Sequence, residues 1–456
     1  MLLDGLGVAV AESGRFTAYG LSRLRQTELF ARLPAERRFD IEVVSQVLPF
    51  RVNDFVLREL IDWDAPLEDP VFRLTFPHRD MLAPRAFEAM AALLRAGAPR
   101  AETERLARSL RAGLNPHPAG QQTLNVPELD GNPLPGVQHK YANTVLFFPS
   151  AGQTCHSYCT FCFRWPQFVG AEDRFSAKDS AGLAAYLRVH PEVSDLLVTG
   201  GDPMVMRTHR LAGYLEPLLA DPGLAHVRTV RIGTKSLTFW PHRYVLDEDA
   251  DDLLALFRRI VDSGRHVALM AHVNHWREME SPLFAEAVAR IRATGAVIRT
   301  QAPLLAHIND DAEVWATLWE RQVNLGMVPY YMFVERDTGA DQYFQVPLER
   351  AARIYADAVR RVGGLARTAR GPSMSCGPGK VEVQGVAEVR GERVFVLRFL
   401  QGRRADWANR PFFAAYDPSA TWFDQLRPAF GEPRFFFSDE YDAITGRTPL
   451  PPEAGV

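Results

Sequence analysis

The apolar positions of the chain fall into two regimes. Between 41 and 112 they recur at helical spacing, with Val56, Leu57, Leu60 and Ile61 in one stretch and Phe87, Met90, Leu93 and Leu94 in another. The Pro/Asp-rich segment 62–70 separates them. Residues 1–40 are mixed and show no chemistry. Residues 114–137 hold five prolines among glycines and polar residues and read as a linker. From 145 onward short apolar runs alternate with helical stretches. Strands are predicted at Val145–Phe148, Asp195–Thr199, Thr229–Gly233, His266–Ala271, Val297–Gln301 and Val328–Phe333. Between them, Ser176-x-x-Asp179 reads as a capping box ahead of Leu183, Tyr186 and Leu187. Leu253, Leu254, Phe257, Ile260 and Val261 line one helical face. Asp310 or Asp311 is placed to cap a helix carrying Val314, Leu318 and Val323.

Repeated β-α units imply a parallel sheet. About six units suit a full or partial β/α barrel with its functional loops at the C-terminal strand ends, with a doubly wound open sheet as the other arrangement. Beyond 366 the regularity fades. Residues 381–385 and 393–400 alternate like hairpin strands, and a Pro-rich tail with Trp407, Phe412, Phe413, Trp422 and Phe435–Phe437 reads as a packed cap. The expected division is a mostly helical region at 1–113, a linker segment at 114–144, an α/β core at 145–365 and a C-terminal loop and cap at 366–456.

Composition changes this picture little. The 456 residues carry a net charge of −3, which implies no pull towards nucleic acid or an anionic membrane. No run approaches the ~18 apolar residues of a membrane span. The N-terminus has Asp4 and no basic region, unlike a signal peptide. Three of the four cysteines fall within eight residues, which points to a reducing compartment and metal chemistry. The expected location is the cytoplasm.

Those three, Cys155, Cys159 and Cys162, are spaced C-x3-C-x2-C. Three cannot pair among themselves as disulfides. A structural zinc site wants four ligands, which His156 or Cys376 could complete. An iron–sulfur cubane held by three thiolates leaves one iron open. Gly200-Gly201-Asp202-Pro203 follows a strand, where glycines allow close backbone approach or make an ordinary tight turn. His272 and His275 lie three apart at a strand end, suited to a metal or to hydrogen bonding in a polar loop. Gln301 ends another strand. Lys380 closes the Gly/Pro-rich loop 371–380 and could meet a phosphate, form a Schiff base or stand exposed.

The cysteine spacing is that of the radical S-adenosylmethionine (SAM) enzymes. More specifically, the chain resembles the lysine 2,3-aminomutase family over roughly 41–385. The likeness is carried by LIDWDAPLEDP (60–70), GVQHKYANTVLFF (136–148), the cysteine loop, LLVTGGDP (196–203), TVRIGTKSLTFWPHR (229–243), AHVNH (271–275), TQAPLLAHIND (300–310), PYYMFVERDTGADQYFQVP (329–347) and GPGK (377–380). The resemblance implies a partial (β/α)6 radical SAM barrel with an N-terminal helical region and a C-terminal cap. It implies a [4Fe-4S] cluster on Cys155, Cys159 and Cys162, and SAM chelated to the open iron. Gly200, Gly201, Asp202, His272 and Gln301 would stand at the SAM site, and Lys380 would bind pyridoxal 5′-phosphate (PLP) covalently. Arg164 would hold the substrate carboxylate. The family's phosphate-binding segment is matched in part by 139–144, where Tyr141 stays, Lys140 replaces one arginine and Thr144 another.

The implied activity moves an α-amino group to C3 through a 5′-deoxyadenosyl radical. A radical SAM enzyme on the same scaffold without PLP is the alternative. An amino acid substrate and an electron donor such as flavodoxin or ferredoxin are the implied partners, without nucleic acid or membrane, and self-association is left open. In lysine-specific members two aspartates hold the substrate ammonium. Here Arg336 and Ser373 fall in their register, so the expected side chain is glutamate-like or neutral polar rather than cationic.

Overall fold

Eleven strands form one sheet whose spatial order follows the chain from edge to edge. They are β1 (Val137–Tyr141), β2 (Thr144–Phe147), β3 (Asp195–Val198), β4 (Thr229–Thr234), β5 (His266–His272), β6 (Val297–Leu304), β7 (Val328–Val334), β8 (Arg370–Ser375), β9 (Gly379–Val389), β10 (Glu392–Gly402) and β11 (Pro411–Ala415). Strands β2 to β8 run parallel, while β1 and β9–β11 are antiparallel to their neighbours. The computed structural model describes residues 16–115, 124–170 and 175–446. Part of the proline-rich linker lies outside them.

The apolar runs expected to be strands are β2 to β7. In β5, Val267 to Ala271 are all buried, as befits a strand covered on both faces. Helices make the crossovers. Ala250–Asp262 turns Leu253, Leu256, Phe257 and Ile260 inward, where they join Val230, Ile232, Val267 and Leu269 of the sheet in one core. Asp311 caps Ala312–Asn324 by accepting from the Glu313 amide at 2.7 Å.

Two local readings are corrected. The Ser176/Asp179 capping box does not form: the helix is Ala181–Arg188, its N-cap is Ser180 without a side-chain bond, and Asp179 accepts from the Ala181 amide at 3.0 Å. Leu183, Tyr186 and Leu187 are buried as expected. The sheet also continues beyond 366 in the parallel strand β8. Its sequence, Arg-Gly-Pro-Ser-Met-Ser, lacks apolar alternation, and Gly371 and Pro372 are poor strand residues. Gly371 has φ +152°, and a Cβ there would meet the Met332 carbonyl at 2.3 Å, so β8 can lie against β7 at that point only through glycine.

The sheet curls. Lys140 of β1 donates to the carbonyl of Cys376, just beyond β8, at 2.5 Å, although the two strands are far apart in the ladder. Arg403, just beyond β10, reaches Asn125 ahead of β1 at 2.6 Å. The C-terminal aromatic tail packs as a cap, with Phe399, Trp407, Phe412, Phe423 and Phe437 in a single cluster.

The N-terminal region packs helices Ala35–Val44, Pro84–Arg95 and Arg100–Gly113 over the cysteine loop. The stretch with Val56, Leu57 and Leu60 is a π-turn, Val56–Leu60, which buries all three. Asn53 joins this region to the rest. Its amide donates to Ser157 Oγ at 3.0 Å, its Nδ2 donates to the Phe239 carbonyl at 2.7 Å, and its Oδ1 accepts from Val56 N at 2.9 Å. Asn53→Ala strands two buried backbone groups, so it should cost about 2–3 kcal/mol. Urea denaturation monitored by tryptophan fluorescence checks this.

Candidate active site

A cavity of about 310 Å³ opens at the C-terminal ends of the parallel strands. The loop after β2 supplies Cys155, Cys159 and Cys162 to its wall. That loop is held from outside: Tyr158 N donates to the Arg51 carbonyl at 2.8 Å, Thr160 N to the Leu74 carbonyl at 2.9 Å, and Thr160 Oγ1 to the Arg73 carbonyl at 2.8 Å. Burial raises all three thiols, Cys162 to about 11. For Cys155 the neighbouring Asp202 and the other two thiols add to the effect. Such thiols become thiolates only against a strong local positive charge.

Among the described residues no fourth donor joins them. Cys376 is buried away from the cavity wall, its Sγ donating to the Gly379 carbonyl at 3.4 Å. The His156 ring packs edge-on against Phe16 at 5.4 Å and stacks with Trp240 at 6.4 Å. Among the described residues no three His, Cys, Asp or Glu side chains converge on one metal ion. A cluster takes each thiolate on a different iron, so a soft three-thiol set fits it better than a closed four-ligand ion.

The turn after β3 is shaped by this loop. A Cβ on Gly201 would meet the Thr154 carbonyl oxygen at 2.4 Å, and one on Gly200, at φ +157°, would meet Gln153 Nε2 at 2.5 Å. The glycines thus admit the protein's own backbone next to Cys155, and Gly200 and Gly201 still line the cavity. Asp202 accepts from Met204 N (2.9 Å), Thr234 Oγ1 (2.7 Å) and Lys235 N (2.9 Å), and burial pushes it up to about 6. Its carboxylate fixes the ends of β3 and β4 to each other.

His272 and Gln301 are register partners on β5 and β6, with their Nε2 atoms 3.1 Å apart. Burial first, then Lys235 and Arg164, lower His272 to about 3, so its ring is neutral. His275 turns elsewhere, its Nδ1 accepting from Arg277 N at 3.2 Å, and the two histidines do not make a metal pair.

Across the cavity stands Lys380, at the start of β9. Its Nζ lies 4.1 Å from the centre of the Tyr331 ring and 5.5 Å from that of Phe333. Among the described residues the amine makes no hydrogen bond or ion pair. Burial, then Arg231, Arg370 and Lys140, lower it to about 7. A neutral amine in an apolar cleft is a nucleophile towards a carbonyl, and the surrounding cations suit an anionic aldehyde such as PLP.

Lys140 and Tyr141 are not in the cavity wall; they stand behind the Cys376–Lys380 turn. Arg164 and Arg336 are in the wall and share Phe163, their guanidinium carbons 5.2 and 5.4 Å from its ring centre. Burial lowers Arg164 to about 10. Arg336 is also lowered by burial, against the pull of Asp337, Cys376, Glu335 and Asp424. Ser373 is buried on β8 and the cavity wall does not include it; Ser375 lines the cavity instead.

No protein-family model matches the chain. The chain is 32% identical over 402 residues to an Aquifex aeolicus protein provisionally named L-lysine 2,3-aminomutase, covering 88% of this chain and 93% of the relative. The L-lysine 2,3-aminomutase of Escherichia coli is 29% identical over 231 residues, covering 51% of this chain and 63% of the relative. That of Haemophilus influenzae is 28% identical over 237 residues, covering 52% and 65%.

The chain belongs to the lysine 2,3-aminomutase family. It is an enzyme of the aminomutase class of isomerases. Members of the family use a [4Fe-4S] cluster, SAM and PLP.

Within this aminomutase the structure brings forward a residue that pattern reading passed over. Lys235 lines the cavity beside His272, donating to Glu278 Oε1 at 2.5 Å and to Asn274 Oδ1 at 2.9 Å. Glu278 also accepts from the Asn274 and His275 amides at 2.5 and 3.0 Å, so the buried ion pair is locked to backbone. Its only sequence signal was its place in TVRIGTKSLTFWPHR.

Lys140 and Lys380 are both lowered to about 7 in the folded chain. The unfolded chain therefore binds more protons from about pH 7 to about 10.4, and stability rises with pH through that window. Each lysine contributes up to about 1.4 kcal/mol per pH unit. Lys380→Met should make the rise shallower. Parallel slopes for variant and parent in denaturation series between about pH 7 and 9 would place the amine in solvent.

Proposed function

We propose that the protein is a radical SAM, PLP-dependent 2,3-aminomutase acting on an amino acid whose side chain is glutamate-like or neutral polar. One observation carries this: three thiols, a lysine amine that makes no hydrogen bond or ion pair among the described residues and two half-buried guanidiniums wall one cavity. The curled parallel sheet, read as a partial barrel, supports the same assignment. When bound, the cluster with SAM supplies a hydrogen-abstracting radical, and PLP carries the migrating amino group.

The chain's own residues hold, orient and exclude. Cys155, Cys159 and Cys162 are the cluster ligands. Gly200, Gly201, His272 and Gln301 form the wall on the SAM side, with Asp202 fixing its shape. Lys380 is the PLP lysine. Arg164 pairs with the substrate α-carboxylate, stiffened by its contact with Phe148 at 4.4 Å. Phe161, Phe168 and Phe239 in the wall keep water out. Arg336 meets the substrate side chain. A guanidinium in a desolvated site repels an ammonium and offers a fork to a carboxylate or amide oxygen. Ser373, buried on the neighbouring strand outside the cavity wall, adds no charge.

One observation favours the reading without PLP. The Lys140 amine is engaged on the Cys376 carbonyl, and the Thr144 hydroxyl donates to Asn143 Oδ1 at 3.1 Å, so neither is free for a phosphate in the way two arginines would be. Reconstitution with iron, sulfide and PLP separates the readings. Borohydride should fix PLP to Lys380, and cluster absorbance should vanish on replacing Cys155, Cys159 or Cys162 by Ala but survive Cys376→Ala. Iron absorbance that depends on Cys376 and not on Cys162 overturns the ligand set.

The substrate is read from a panel of amino acids under reducing conditions, with β-amino products identified by mass spectrometry. Glutamate or glutamine should exceed lysine by at least about tenfold in kcat/KM, on the scale of one like-charge contact. Arg336→Asp should narrow that ratio. Efficient turnover of lysine with no response to glutamate rules the side-chain reading out.

A further inference from the structure

The four carbonyls that lead into Lys380 each have a donor. Cys376 O accepts from Lys140 Nζ at 2.5 Å, Gly377 O from Arg403 Nε at 2.9 Å, Pro378 O from Arg403 N at 3.0 Å and Gly379 O from Cys376 Sγ at 3.4 Å. A turn of this composition, Cys-Gly-Pro-Gly, has two glycines and is intrinsically loose. Here Cys376, Gly377 and Pro378 are held from outside and Gly379 from within the turn.

Arg403 contributes two of these bonds and is itself held. Its Nη2 donates to Asn125 Oδ1 at 2.6 Å, and Asn125 is buried and accepts from His139 N of β1 through its own carbonyl at 2.8 Å. Tyr441, from the C-terminal helix Ser438–Thr445, closes the other side. A Cβ on Gly377 would meet the Tyr441 hydroxyl oxygen at 2.1 Å, so the hydroxyl rests on the turn; burial lowers the Arg403 guanidinium from its ordinary value, and Tyr441 opposes that shift. The C-terminal segment, β1 and the turn thus meet at a single guanidinium.

We propose that Arg403 is a positioning residue for Lys380: it clamps the 376–379 turn so that the lysine amine is presented to the cavity in one place. The inference rests on reading Lys380 as the PLP lysine. The cavity wall does not include Arg403. It touches no reacting atom and acts through the backbone that carries Lys380.

The test uses the full chain free of PLP. Hydrogen exchange by mass spectrometry over 375–381 reads the turn directly. Arg403→Ala should speed exchange there by at least about tenfold, and Asn125→Ala, which removes the guanidinium's anchor, by about threefold. The neighbouring Arg404→Ala, which loses only exposed ion pairs with Asp406 and Glu440, should leave it unchanged. A second readout is PLP fixed by borohydride to Lys380 relative to the exposed Lys178. A general loss of structure would move both lysines, whereas loss of positioning lowers the Lys380 yield alone.

Unchanged exchange in Arg403→Ala overturns the proposal, and so does a Lys380 to Lys178 ratio equal to that of a parent that carries PLP on Lys380. Should Arg403→Ala fail to fold, Asn125→Ala decides on the same two readings. Faster exchange with no PLP on Lys380 in any variant, parent included, upholds the clamp and overturns the PLP reading instead.

Discussion

The chemistry of this protein depends on how far an open sheet bends. The cysteine loop follows β2 near one edge, and Lys380 begins β9 towards the other. In a flat sheet strands spaced about 4.8 Å apart would hold them tens of ångströms from each other. Parallel pairing with right-handed crossovers coils the sheet, and the coil is fixed where the edges meet. Lys140 on the Cys376 carbonyl and Arg403 on Asn125 are those fixings. Break them and the thiols and the amine no longer face the same cavity, whatever their own conformations.

The cavity this creates is electrostatically unusual. Arg164, Arg336, Lys235 and Lys380 all line it, and desolvation works against the charge of Arg164, Arg336 and Lys380. Each is managed differently. Lys235 has a buried carboxylate at 2.5 Å. Arg336 has several acidic neighbours. Arg164 has aromatic faces. Lys380 has rings and other cations about it, so burial and those cations lower it to about 7 instead. Among the two cavity lysines, Lys380 is thus the one without a carboxylate partner, and the same burial that raises the thiols lowers its amine.

Much of this was legible in the sequence because it rests on short-range patterns. The strands β2 to β7 are apolar runs, the Asp311 cap is local, and C-x3-C-x2-C names its own chemistry. What escaped depends on contacts distant in sequence. Strand β8 has the residues of a loop and is a strand only because β7 and β9 flank it. The glycines of the turn after β3 read as room for a ligand, yet the nearest atoms belong to Gln153 and Thr154. Ser373 has the right register and the wrong face. Lys235, alone among helix formers and apolar residues, offers no pattern; only the folded chain places it beside His272 and opposite Glu278.

Lys140 shows how a substitution can exchange one duty for another. Where the family has an arginine, a phosphate contact would use a planar fork. A lysine amine is a single point with three donors, and here one is spent on a backbone carbonyl. The bond that fixes the Cys376 turn comes from this single amine. Arg403 supplies the fork this region otherwise lacks, but aims it at Gly377 and Asn125. The cations around Lys380 therefore divide into those that hold the chain, Lys140 and Arg403, and those that set the field in which the amine works, Arg231 and Arg370. A carbonyl compound entering the cavity meets an amine whose backbone is already fixed, so little conformational entropy is lost when the two join.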